Sequence, residues 1–188
     1  MKKLILLLAS ALTLASASAA PAAATKAVED VFLRYWDAYS KKDFGKAAAE
    51  VLPSDLEATK VEVLPVFLAG QSAKNREAQE VIGSFFAKNV GSARAAISAT
   101  EVFAGLNRVV AAANPEMFEA FKSSTVAVIF VRTVDADTAE VHFQVTVRGA
   151  SETDAETFVK KNGRWWLKVK DDPKEAAASF KALFARPA

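Results

Sequence analysis

The chain changes its hydrophobic period once, and that change limits the possible folds more than any other feature. Before Ser124, apolar residues recur at steps of three or four. Beyond it they alternate. Ala139, Val141, Phe143, Val145 and Val147 fall on one side, and Glu140, His142, Gln144, Thr146 and Arg148 on the other. A period of two is that of a β-strand with one buried face and one polar face. Helices first and consecutive strands afterwards predict an α+β domain with an antiparallel sheet, not the alternating βαβ order of a parallel one.

The helical half divides at its capping residues. Val28, Val31, Phe32, Tyr35 and Tyr39 predict a helix over 26–41, and Asp43 caps a second over 44–52 that Pro53 stops. Ser54-Asp55-Leu56-Glu57 reads as a capping box that opens a third helix to about residue 71, with Pro65 as a kink or break. Residues 76–89 form a fourth. Ser98 to Glu101 is a second capping box, opening a helix to about 112, and Asn114-Pro115 starts a short one to about 122. Strands follow at 126–131, 139–148, 153–160 and 164–170. Asn162-Gly163 marks a tight hairpin between the last two, and Gly149 to Glu152 is a turn. Asp172-Pro173 opens a last helix, 173–185.

Residues 1–19 read as a signal peptide: Lys2 and Lys3, an apolar run from Leu4 to Leu14, then Ala17-Ser18-Ala19 as a cleavage site. The run is shorter than the roughly 20 residues a membrane span needs. Residues 20–25 read as a disordered lead, and 26–188 as one domain with a helical insertion at about 54–122. With the leader removed, 22 basic side chains face 22 acidic ones. That balance gives no electrostatic case for nucleic acid or for an anionic membrane. The expected location is the periplasm or the outside of the cell, with no membrane insertion after processing.

The helix from Val28 to Tyr39, the segment Lys41-Lys42-Asp43-Phe44-Gly45 with its alanines, and the closing Lys161-Asn162-Gly163-Arg164-Trp165-Trp166 hairpin come in a distinctive order. In that order the chain resembles the nuclear transport factor 2-like superfamily over about 26–52 and 124–170. The resemblance implies a cystatin-like roll, in which a long helix crosses a curved antiparallel sheet of about four strands and leaves a cone-shaped cavity. It implies either a non-catalytic binding or accessory domain or an enzyme of the isomerase, cyclase or dehydratase type. Residues 54–122 fit two arrangements, a cap over the cavity or an independent helical layer.

The inventory of side chains narrows the chemistry. The chain has no Cys and a single His. Thiol nucleophiles and thiolate or multi-histidine metal sites are therefore excluded, and no metal or cofactor is expected. No glycine-rich phosphate loop is present. His142 is the one candidate general base, provided its strand face lines the cavity. On the other face it is a solvated or interface residue. Tyr35 and Tyr39, with Trp36 and Asp37 beside them, form a second set, with the phenols at the rim of the cavity. The superfamily's isomerases hold their catalytic Asp on a strand, whereas Asp37 lies on a helix. Trp165 and Trp166 point to opposite faces; one belongs to the core and the other covers a pocket or an interface. Arg132 and Arg148 pair an anion or face solvent. The alternating charges of 152–174 read as a solvated sheet edge.

These features predict a binding domain with an apolar cavity between helices and sheet. Tyr35, Tyr39, His142 and Trp166 would contact a small apolar or amphipathic ligand. The alternatives are an enzyme using His142 or a carboxylate as base, and a module that binds a protein partner or forms a homodimer through the sheet.

Overall fold

A computed structural model describes residues 22–87, 89 and 91–187. The expected signal peptide lies outside them. Helix α1 (Ala22–Ser40) begins four residues before the periodicity predicts. Ala22 to Thr25, expected in the lead, form its first turn; alanine is the best helix former. Lys42, with φ of 61°, ends this stretch of helix and turns the chain. The Asp43 carboxylate then accepts from Lys46 N at 3.3 Å and caps the short α2 (Phe44–Ala48).

Helix α3 (Pro53–Gly70) has one proline at its start and another inside it. Pro53 does not stop the preceding helix, which ends at Ala48 rather than 52 because Val51 bridges to Leu167; it occupies the first turn of α3, where a missing N–H costs nothing. The Ser54 capping box does not form, since Leu52 is the N-cap and the Asp55 carboxylate instead accepts from Val169 N at 3.1 Å. Pro65 lies inside α3 without breaking it. Its ring is on the exposed face, and the carbonyl it frees belongs to Val61, 67% exposed, where water can reach it.

Helix α4 (Arg76–Phe85) is capped by Asn75, whose side chain accepts from Ala78 N at 2.7 Å. A 3₁₀ turn (Gly91–Arg94) follows. The Ser98 hydroxyl caps α5 (Ala99–Ala113) as predicted, accepting from Glu101 N at 3.2 Å. Pro115 starts α6 (Pro115–Lys122), and Asp172 caps α7 (Pro173–Phe184).

The strands β1 (Thr125–Thr133), β2 (Thr138–Val147), β3 (Ala150–Lys161) and β4 (Arg164–Leu167) form one curved antiparallel sheet in sequence order. Arg148 and Gly149 both have positive φ, as do Asn162 and Gly163, so two-residue turns close the β2–β3 and β3–β4 hairpins. The first turn comes earlier than expected and lengthens β3, whose opening residues are polar and exposed and show no alternation. β1 is an edge strand with a bulge between Val128 and Phe130. The opposite edge is covered: Leu167 N donates to Glu50 O at 2.8 Å and Leu52 N to Leu167 O at 2.9 Å. Glu50, 9% exposed, takes two hydrogen bonds from Arg34 and one from Arg164, tying α1 to this edge.

Helices therefore pack on one face of the sheet, in an α+β arrangement. The roll core joins Val28, Val31 and Phe32 of α1 to Ala139, Val141, Phe143, Phe158, Trp165 and Leu167 of the sheet. A second core lies wholly among helices, with Phe67 of α3, Ile82 and Phe85 of α4, Val102 and Val109 of α5, and Ala177 of α7. The 54–122 segment is thus a helical layer with its own interior, completed by the C-terminal helix. Helix α5 joins the two cores. Ala99 and Phe103 enter the roll, Val102 and Val109 enter the layer, and Ala104 and Ala111 enter a third cluster with Phe44 and Phe118.

Candidate functional site

The four side chains singled out in the sequence lie on opposite sides of the sheet. Tyr35 and Tyr39 are one helical turn apart on α1 and stack at 5.6 Å between centroids. Tyr39 also packs on Phe44 and Phe118 at 5.5 and 5.6 Å. Ahead of them Phe32 meets Phe143 at 4.6 Å and fills the middle of the roll. The tyrosines lie towards the C-terminal end of α1, past that plug.

The sheet brings a carboxylate to the same side. Val141 is buried, and Glu156 is its register partner on β3, so Glu156 also points towards the helices. Phe158 lies two residues on, on the same face, and is fully buried. The Glu156 side chain keeps 23% of its surface exposed. Lys170 reaches it from the segment after β4, with Nζ 3.4 Å from Glu156 Oε2 and 3.6 Å from Asp154 Oδ1. Lys170 also donates to the Ala155 carbonyl.

Burial dominates the electrostatics of this end. It pushes the Glu156 carboxyl above its usual range, against the lowering effect of Lys170. Burial also raises the Tyr39 phenol to about 12, with Asp171 and Glu156 adding to it. The Tyr35 phenol is raised still further, by burial first and then by Tyr39, Glu156 and Asp171. Both phenols are therefore neutral at physiological pH. Each can donate one hydrogen bond and accept others. Among the described residues, none hydrogen-bonds to either hydroxyl.

His142 and Trp166 occupy the far face. Phe130 stacks on the His142 ring at 4.3 Å with planes 17° apart. His142 Nε2 is 3.2 Å from Glu140 Oε2, and the same oxygen accepts from Arg132 Nε at 3.0 Å and Nη2 at 2.6 Å. Arg132 is thus spent on a neighbouring carboxylate, and Arg148 forms the turn between β2 and β3. Trp165 is buried in the roll, whereas Trp166 is half-buried on the outer face with the Arg164 guanidinium 3.9 Å above its ring. Period-two alternation from Val141 and Phe143 places His142 away from α1, so it does not share a site with the tyrosines.

Sequence reasoning missed Glu156 by treating 152–174 as solvated edge throughout. The usable signal was its spacing of two from Phe158, which puts it on the face that Phe158 buries. β4 ends at Leu167 rather than 170, so Lys170 and Asp171 both follow the strand, and they gave no signal of their own.

No family model matches this chain, and no curated protein is significantly similar to it. Among the described residues, no helix is long and apolar enough to cross a membrane.

Proposed function

We infer that the chain is an exported, non-catalytic binding domain of the nuclear transport factor 2-like kind, whose ligand is a small amphipathic molecule. The apolar body of the ligand lies against Tyr35 and Tyr39, and its polar end meets their hydroxyls and Glu156. One observation carries this reading: two half-buried phenols, neither hydrogen-bonded to another described residue, lie within electrostatic reach of the half-buried Glu156 carboxyl. Hydroxyls at the edge of an aromatic surface, not consumed by the fold, are open to a ligand that is apolar along its body and polar at one end. The leader-like residues 1–19 support export, and the order of elements supports the superfamily.

Native mass spectrometry of the protein purified from its exported compartment tests the reading. A small molecule should remain bound under gentle desolvation and leave on denaturation. The double variant Tyr35→Phe/Tyr39→Phe should lose it, while Phe130→Ser on the far face should keep it. A wild-type protein that is bare in every preparation would remove the reading.

The Glu156 carboxyl favours a second reading, an isomerase, cyclase or dehydratase in which Glu156 is the general base and a phenol the hydrogen-bond donor. Turnover abolished by Glu156→Gln and untouched by His142→Gln would separate it from simple binding. The outer face favours a homodimer: Ile129, Phe130 and Val134 are 53%, 48% and 52% exposed. Light scattering after size-exclusion chromatography should then give twice the monomer mass, falling to one with Phe130→Asp.

A further inference from the structure

The helical layer carries a groove that the roll does not explain. It lies between the C-terminal half of α3 and the end of α7, and encloses about 540 Å³. That volume is in the range of small-molecule sites. Val66, Ala69 and Phe184 form its apolar surface. Gly70 sets its depth, because a Cβ there would overlap the Phe184 ring. The ring lies against α3 only because position 70 has no side chain.

The groove is charged on one side only. Lys74, Lys181 and Arg186 line it, and no acidic side chain does. Arg186 is held by Glu77 at 3.2 Å. Among the described residues, Lys74 and Lys181 have no carboxylate partner. Three helix lysines, Lys26, Lys46 and Lys122, each have a carboxylate three or four positions away, whereas Lys181, like Lys60 and Lys174, has none among the described residues. Two unpaired ammonium groups beside an apolar groove are complementary to one chemistry, an anionic head on an alkyl chain.

We propose that the groove between α3 and α7 binds a free single-chain amphipathic anion of the fatty-carboxylate class. The alkyl chain lies on Val66, Ala69 and Phe184, and the carboxylate is held by Lys74 and Lys181. The three-dimensional frame is fixed independently of the ligand: the Asn75 side chain donates to the Leu183 and Arg186 carbonyls, at 3.3 and 3.1 Å, and holds the end of α7 in place. This site is separate from the tyrosines of the roll and does not depend on the function proposed for them.

Titration calorimetry with dodecanoate below its micelle concentration tests the proposal. One molecule should bind per chain. Lys74→Glu/Lys181→Glu should weaken binding at least tenfold, and Ala69→Trp, which fills the groove, should abolish it. Dodecyltrimethylammonium, with the same chain and the opposite charge, should not bind. Tyr35→Phe/Tyr39→Phe should leave dodecanoate binding unchanged, which distinguishes this site from the roll. Both lysines are exposed, and circular dichroism of the charge-reversal variant should match the wild type. Equal affinity of wild type and charge-reversal variant would overturn the proposal. So would binding to phosphatidylglycerol vesicles without binding to monomeric dodecanoate.

Discussion

The roll and the helical layer are both built on phenylalanine, but they treat polar groups differently. In the layer, the polar side chains beside the core are consumed by structure. Arg108 donates to the Ser84 and Phe85 carbonyls at the end of α4 and pairs with Glu101 at 2.7 Å. Asn75 caps one helix and holds the end of another. In the roll, two phenols are half-buried with no hydrogen-bond partner among the described residues, and Glu156 beside them has Lys170 alone. Satisfied polar groups mark a region that holds the fold together. Half-buried ones that the fold does not consume mark a surface open to something other than the chain itself.

The comparison is sharpest if the two regions still unfold as one. Phe67 stacks on Phe85 at 3.8 Å and meets Phe180 and Phe184 edge-on, while Phe32 holds the same central place in the roll. Both are fully buried, so Phe67→Ala and Phe32→Ala should each cost about 3–5 kcal/mol. All three tryptophans, Trp36, Trp165 and Trp166, belong to the roll, so their fluorescence reports that region alone. Helical circular dichroism is weighted to the layer. Because α5 contributes to both cores, the two signals should move together in urea for both variants. A Phe67→Ala protein that loses ellipticity before fluorescence would break the two regions into separate folding units.

Alkali should act through the roll. Tyr35 and Tyr39 are the only tyrosines in the chain, so absorbance at the phenolate band reads these two groups without interference. Their phenols are raised in the fold above the ordinary value of 10.0. The stability they contribute is complete below that pH and is lost as pH rises towards the folded values. For Tyr39 the window runs from 10 to about 12 and amounts to about 2–3 kcal/mol by its end. The native protein should show little phenolate at pH 10, where the urea-unfolded chain is half ionised. Equal titration curves for the two states would show that the phenols are freely solvated.

Gly70→Ala makes the matching perturbation in the layer. The added methyl group overlaps Phe184 and pushes α7 off α3, at a cost of about 1–3 kcal/mol. Its effect on the urea midpoint should be reversed in part by Phe184→Leu in the same chain. No recovery in the double variant would mean that the close approach of α7 is not what position 70 provides.

Much of this division was legible in the sequence, and its failures have physical causes. The change of period at Ser124 identified helices and sheet, and Asp43, Ser98 and Asp172 marked helix starts correctly because each carries its own cap. Pro65, read as a kink or a break, does not break α3, because its helix face meets water. β3 was read too short because Ala150 to Asp154 are paired through their backbone and bury no side chains to betray the strand. The candidate site was half legible. Aromatic spacing singled out Tyr35 and Tyr39, while His142, singled out as the one His of the chain, lies on the opposite face of the sheet from them. Glu156 was lost among neighbouring charges, although its parity with Phe158 distinguishes it from them.

Glu156→Gln is the smallest of these perturbations and the one that joins stability to function. Burial raises this carboxyl in the folded state, so the folded protein disfavours the ionised form relative to the unfolded chain. The wild type should therefore lose stability as pH rises from the ordinary carboxyl value of 4.5 through the raised one. Glutamine carries no proton to lose, so the variant should be flat across that window. It should be more stable than the wild type at pH 7, by less than about 1 kcal/mol, since Lys170 and partial exposure already screen the charge. A variant that is more stable and yet binds less ligand would place Glu156 among groups retained for function at a cost to the fold. A variant that is less stable at pH 7 would show that the pair with Lys170 outweighs the burial of the carboxylate, and Glu156 would then belong with the structural charges of the layer.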